Sequence, residues 1–198
     1  MDIFVDVHCL HLPNENSVWA KQSRDALQKE PVIAHHLDGV IGNVGQGRAL
    51  GFSQGTLPFV SYVDPDDYCL PGGFAACVQI LIDHPQIACV GTREYRIGKN
   101  DGIPAYNHSR PGPHHLMVFR RDAIASELER LATFPYAPEP WLLARLKQRF
   151  GHCALWLLDE PYYVWRVHDQ GWHLRKRTEH ALLMRQIREK ADGLDLAD

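Results

Sequence analysis

No apolar run in this 198-residue chain approaches the roughly 18 residues a membrane span requires. Internal repeats, linkers and low-complexity tracts are missing too, which sets aside arrays and disordered chains. Charge of one sign is absent. There are 21 Lys and Arg against 24 Asp and Glu, a net charge of -3. That balance does not mark the whole chain as a nucleic-acid binder, although a local basic patch stays open. Thiol pairs are also lacking. The five cysteines, Cys9, Cys69, Cys77, Cys89 and Cys153, contain no CxxC, and their odd number speaks against a disulfide framework and a thiolate zinc site. Four lie in apolar stretches and read as small buried hydrophobes of a reducing compartment. The chain opens with Asp2, Asp6, His8 and His11 where a secretion signal would be apolar, so a cytoplasmic location is expected.

What is present fits one globular domain, with 45% apolar and 23% charged residues. Alternating, β-branched stretches predict strands over residues 2–10, 31–35, 59–63, 88–91, 115–119, 154–158 and 162–167. Helices are expected over 18–29, with Asn16 or Ser17 as cap and Val18, Trp19, Ala26 and Leu27 inward, and over 46–54, 74–83, 122–132 and 141–150. A basic amphipathic helix is expected near the end, about 176–195. Residues 99–113 form the longest expected loop. Strands alternating with helices predict an α/β domain with a largely parallel sheet. Twelve histidines include two adjacent pairs, His35-His36 and His114-His115. On a strand, neighbours point to opposite faces, so each pair is expected to offer at most one ligand to a site.

The most informative stretch is Tyr62-Val63-Asp64-Pro65-Asp66-Asp67, three carboxylates at the carboxyl end of the most apolar strand. Ligands bind at that edge of open α/β sheets. Carboxylates so close repel one another unless a cation sits among them, and oxygen ligands favour Mg2+ or Mn2+. The plain alternative is a solvated acidic turn. Upstream, Gly45, Gly47 and Gly51 allow close backbone approach to a ligand, and Arg48 offers a planar cation to a nucleotide or phosphate.

Asn43-x-Gly45-x-x-Arg48, then Gly51, then the strand ending in Asp64-Pro65-Asp66-Asp67 resembles the donor half of GT-A glycosyltransferases of the family 2 type. Further along, His115-Leu116-Met117-Val118-Phe119-Arg120-Arg121-Asp122, Pro138-Glu139-Pro140-Trp141 through Arg145-Leu146, and Tyr162-Tyr163-Val164-Trp165-Arg166-Val167-His168 resemble later segments of that family in the same order. The resemblance covers roughly residues 30–170. It implies a single GT-A (Rossmann-like) domain with a central, mostly parallel mixed sheet. About 1–70 would bind the nucleotide-sugar, and about 71–175 the acceptor.

By the same resemblance Asp64 reaches the nucleotide, Asp66 is the main metal ligand with Asp67 nearby, and His168 contacts metal or diphosphate. Glu139 stands where the family has its catalytic Asp, six residues before Arg145, but with Pro140 following. Asp38 is the candidate for the nucleotide base, although the segment from it to Asn43 is shorter than usual. The implied reaction is metal-dependent, inverting transfer from a nucleotide-sugar, UDP-linked by resemblance, to an acceptor hydroxyl. Mn2+ or Mg2+ and basic groups would stabilise the leaving diphosphate, and a carboxylate would take the acceptor's proton. The acceptor stays open among glycan, lipid-linked sugar, protein, small metabolite and modified nucleic acid. Competing readings are a metal-dependent nucleotidyltransferase or phosphohydrolase using the same carboxylates, and a non-catalytic sugar or nucleotide binder. Trp165, Arg166, His168, Trp172, His173, Arg175, Lys176 and Arg177 interleave aromatics with cations, either as core plus solvated helix or as an anionic acceptor surface.

Overall fold

The structure, a computed structural model, describes residues 4–98, 100–107, 112–136 and 138–169 together with Arg185. The expected basic helix near residues 176–195 and the Trp172–Arg177 cluster lie outside the described residues, Arg185 excepted.

The chain opens with β1 (Val5–His11), α1 (Ser17–Leu27), β2 (Val32–Asp38), α2 (Val44–Phe52) and β3 (Phe59–Tyr62). It continues through β4 (Tyr68–Cys69), α3 (Gly73–Asp83), β5 (Cys89–Gly98), β6 (Ala105–Tyr106) and β7 (Met117–Arg120). Short helices α4 (Arg121–Ile124) and α5 (Leu128–Leu131) follow, joined by one 3-10 turn, and then α6 (Pro138–Phe150) and β8 (Leu155–Val167). One eight-stranded sheet runs in the order β2-β1-β3-β7-β5-β8-β4, with β6 added against β5. β1 is parallel to β2 and β3, and β5 to β8, while β4, β6 and β7 run against their neighbours. The sheet is therefore mixed and mostly parallel, as expected.

Alternation along the strands divides the core between two faces. Phe59 and Val63 join Val5, Val7, Leu27, Phe74, Cys77 and Leu81 beneath α1 and α3. Val60 and Tyr62 join Phe52, Phe119, Leu131, Trp141 and Leu142 beneath α2 and α4–α6. Cys9, Cys69, Cys77 and Cys89 are buried free thiols, and only Cys153 is exposed. Asn16 is the cap of α1, its side chain accepting from the Val18 and Trp19 N–H groups at 3.0 and 3.3 Å. Val18 itself points outward, and the inward residues are Ala20, Ser23 and Leu27.

Several expectations about elements change: β4 was not expected, and the strand expected over 88–91 runs on to Gly98 as β5. The stretches 154–158 and 162–167 are one strand, β8. Its register against β5 slips between Thr92 and Glu94, so the chain irregularity around Pro161 is absorbed without ending the strand. Pro161 costs little there, because the two-residue β4 meets β8 only at Tyr163 and Val164. The expected helix over 122–132 is broken into α4, a 3-10 turn and α5. The loop expected over 99–113 contains β6 within its described part.

Candidate active site

β3 delivers the acidic turn at the carboxyl edge of the parallel strands. The Asp67 N–H closes the turn on the Asp64 carbonyl at 3.1 Å, with Pro65 inside it. The three carboxylates then diverge to three different partners.

Asp64 faces α2. That helix starts at Asn43, whose Oδ1 accepts the Gln46 N–H at 3.0 Å and whose Nδ2 donates to the Ala132 carbonyl at 3.2 Å. The glycines of α2 serve the chain's own packing, which corrects the reading that they admit a ligand. A Cβ at Gly45 would lie 2.3 Å from the Leu131 and Phe134 carbonyl oxygens, and one at Gly51 would lie 2.2 Å from the His8 ring. This close seating buries Arg48. Its NH2 donates to Asp64 Oδ1 at 2.5 Å, its Nε to Glu139 Oε1 at 2.9 Å, and its guanidinium lies 3.7 Å from the Tyr62 ring centroid. Burial works against the Arg48 charge, but Asp64 and Glu139 outweigh it and raise its pKa. Burial would likewise push the Asp64 carboxyl up, yet Arg48 and His115 hold it below its ordinary value. Glu139 stands in the first turn of α6, where the helix amino end favours negative charge.

Asp67 faces inward. Tyr163 donates its hydroxyl to Oδ2 at 3.0 Å, and the Arg166 N–H donates to Oδ1 at 2.7 Å. Burial, then Asp66 and Asp64, push the Asp67 carboxyl well above its usual range. Both oxygens are engaged by the fold, so Asp67 supports the turn from behind.

Asp66 meets His168, the last of the three pairings. His168 Nε2 lies 2.7 Å from Asp66 Oδ2, and the ring packs against Trp19 at 4.9 Å. His168 Nδ1 is buried with no hydrogen-bond partner among the described residues. One carboxylate beside one imidazole, with a buried ring nitrogen unsatisfied, is a donor set that suits a divalent ion such as Mn2+. Asp64, Asp67 and His115 also bring ligand atoms within 4.8 Å of one another.

Asp38 stands exposed at the end of β2, opposite His11 and apart from the Arg48 network. The sequence therefore named residues that the fold gathers in two groups, Arg48 with Asp64 and Glu139, and Asp66 with His168, and Asp38 joins neither.

Two participants had no role assigned at this site: Glu94 was not singled out, and Arg166 stood only in the aromatic–cation cluster and the Tyr162–His168 segment. Arg166 is fully buried; its Nε donates to the Asp66 carbonyl at 2.9 Å, its NH2 to Gln22 at 2.7 Å, and its NH1 pairs with Asp101. The sequence signal for its place beside Asp66 is that it stands two residues before His168, near the end of β8. Glu94, on β5, accepts from His115 Nδ1 at 2.7 Å and His114 Nδ1 at 3.0 Å. Burial would push its carboxyl up, but the two imidazoles hold it far below the usual range. Both rings of this pair thus meet one carboxylate, against the expectation of opposite faces. The reason is local. β7 starts only at Met117, so His114 and His115 precede the strand and are not bound to its alternation. His115 then stacks on Tyr163, with ring centroids 4.8 Å apart. A cavity of about 300 Å3 opens at the opposite edge of the sheet, beside Ile87, Arg120 and Arg149, remote from these groups.

No family model matches the chain, and no curated protein matches it in sequence. Solved structures do match. S. aureus TarS 1–349 in complex with UDP-GlcNAc superposes with a TM-score of 0.63 at 12% identity, covering 94% of this chain and 65% of that one. M. tuberculosis glucosyl-3-phosphoglycerate synthase gives 0.65 at 12% identity over 97% of this chain and 81% of its own; its complex with Mn2+ and UDP-glucose gives 0.64. A glycosyltransferase involved in glycosylation of the major capsid of PBCV-1 gives 0.54 at 14% identity, over 91% of this chain and 99% of that one. The fold is therefore that of the GT-A glycosyltransferases. The chain spans just under two thirds of TarS 1–349. No helix among the described residues is long and apolar enough to cross a membrane.

Proposed function

We propose that this chain is a metal-dependent glycosyltransferase that moves a sugar from a nucleotide donor, UDP-linked, to an acceptor hydroxyl with inversion. The observation that carries the reading is the Asp66–His168 pair, 2.7 Å apart at the end of β3 and β8, on a GT-A sheet. Similar structures hold Mn2+ with UDP-glucose, and UDP-GlcNAc, which supports the donor class.

Asp66 and His168 would hold the ion. When bound, a divalent ion supplies charge neutralisation for the leaving diphosphate. Asp64 is fixed by Arg48 to receive the nucleotide. Glu139 is held by Arg48 through Oε1 only, and its Oε2 takes the proton of the attacking hydroxyl. Arg48 binds both carboxylates and positions them, and its buried NH1, with no partner among the described residues, is left for the donor. Asp67 acts through Tyr163 and the Arg166 N–H, which fix the turn carrying Asp66.

The test is incubation with a panel of nucleotide sugars, Mn2+ or Mg2+ and candidate acceptors, scoring released nucleoside diphosphate. Release from one donor, lost in Asp66→Ala, is expected. Absence of both turnover and calorimetric nucleotide-sugar binding across the panel would overturn the reading. Pyrophosphate or inorganic phosphate as the product would favour the nucleotidyltransferase or phosphohydrolase alternative.

A further inference from the structure

A second cluster of ligand-type side chains sits on β1 and β2, outside every group above. Cys9 and His36 are register partners on the two parallel strands, and His11 lies two residues beyond Cys9. Strand alternation therefore puts all three side chains on one face of the sheet. Their Sγ and ring nitrogens all lie within 4.8 Å of one another. His35, the neighbour of His36, points to the other face and pairs with Asp6 at 2.7 Å, so this histidine pair contributes a single ring here.

The imidazoles are already oriented. His11 Nδ1 lies 2.9 and 3.0 Å from the two Glu15 oxygens, which keeps the proton on Nδ1 and leaves the Nε2 lone pair available. That Nε2 accepts from His36 Nδ1, 2.9 Å away, and as an ion displaces this bond the His36 proton passes to its own Nε2, which frees both facing nitrogens. A carboxylate behind a ligating imidazole is the usual outer support of a bound metal. A tetrahedral ion with one sulfur and two nitrogen ligands spaces its donor atoms by roughly 3.4 Å, so only small side-chain shifts separate the present arrangement from coordination. His36 is exposed and gives access from solvent, whereas Cys9 is buried beneath it.

We infer that Cys9, His11 and His36 form a site for a thiophilic divalent ion of the Zn2+ class, separate from Asp66 and His168. Thiolate and imidazole ligands select such ions over Mn2+ and Mg2+, which prefer oxygen. Three protein ligands leave a fourth position for water. On binding, the Cys9 S–H bond breaks, the sulfur–metal bond forms, and the proton passes to solvent. No CxxC spacing announces this set, because its ligands come from two strands joined only by their register.

Co2+ titration of the metal-stripped chain tests it. The expected result is a thiolate-to-cobalt charge-transfer band in the near ultraviolet, with intense tetrahedral visible bands, both bleached by Zn2+. Cys9→Ala removes the charge-transfer band. His36→Ala, at an exposed position that does not endanger folding, weakens Zn2+ binding by about a hundredfold or more. Asp66→Ala leaves the band and the Zn2+ affinity unchanged, which separates this site from the donor site whether or not the chain transfers sugar. A wild-type chain that binds Co2+ without the band, a His36→Ala variant of unchanged affinity, or loss of the band in Asp66→Ala would each overturn the assignment.

Discussion

The two ends of the acidic turn are held by opposite chemistry. Asp64 is matched by a full charge, the buried guanidinium of Arg48, which it shares with Glu139. Asp67 is matched by neutral donors, a tyrosine hydroxyl and a backbone N–H. The carboxyl facing the cation has its pKa lowered, and the one facing neutral donors has it raised. Repulsion among three neighbouring carboxylates is thus relieved in two ways, by pairing one end and by favouring the proton at the other. The middle residue, Asp66, is left with an imidazole, that of His168.

The charged end should be the more fragile. Arg48→Met leaves Asp64 and Glu139 without their shared partner. We expect a loss of about 3 kcal/mol in denaturant unfolding, the low end for buried pairs because Asp64 is part-exposed. Turnover should vanish with it. Retained stability would mean that the two carboxylates are solvated and the contrast is false. Glu139→Gln keeps an acceptor for Arg48 but removes the carboxylate proposed as base. Turnover should fall about a hundredfold to ten-thousandfold while nucleotide-sugar affinity measured by calorimetry stays the same. Equal loss of affinity and rate would instead make Glu139 a donor-binding residue.

The neutral end should respond less. Tyr163→Phe removes one donor to Asp67 and should lower stability by about 1 to 2 kcal/mol, read as a shift of the unfolding midpoint at constant slope. Asp67→Asn gives the smallest effect and the sharpest sign. A carboxyl with a raised folded pKa binds its proton more tightly in the folded state. Its contribution to stability is full below its unfolded pKa and is lost as pH rises through the folded value. Wild-type stability relative to Asp67→Asn should therefore decline with rising pH across that window. Asp64, whose pKa is lowered, has the opposite slope, with stability present above the ordinary carboxylate range and lost as pH falls. Parallel pH profiles for Asp64→Asn and Asp67→Asn would erase the distinction between the two ends.

Local signals in the chain were enough to narrow the α1 cap to Asn16 or Ser17 and to find the β3 strand and the turn after it, because each depends on a few consecutive side chains. They also marked Arg48, Glu139 and His168, through motif order. They could not show that Arg48 joins Asp64 to Glu139, which lies 91 residues away. Nor could they show that Arg166 reaches Asp66, Gln22 and Asp101, since those contacts exist only once α1 and β8 are side by side. The two histidine pairs make the point within one residue type. His35 and His36 diverge because they lie within a regular strand, whereas His114 and His115 both reach Glu94 from a segment that precedes β7. Pattern alone could not foresee that the strand begins only at Met117.

The seat of α2 on β1 has a mechanical meaning. With only a hydrogen at position 51, helix and strand meet at the His8 ring itself. The depth at which Arg48 enters is gauged by that missing methyl. A larger residue there would act as a shim, lifting the guanidinium away from two acids whose positions are set by other elements. The spacing of Glu139 and Asp64 about the guanidinium is therefore calibrated one turn further along the same face of the helix, at a spot that touches neither carboxylate.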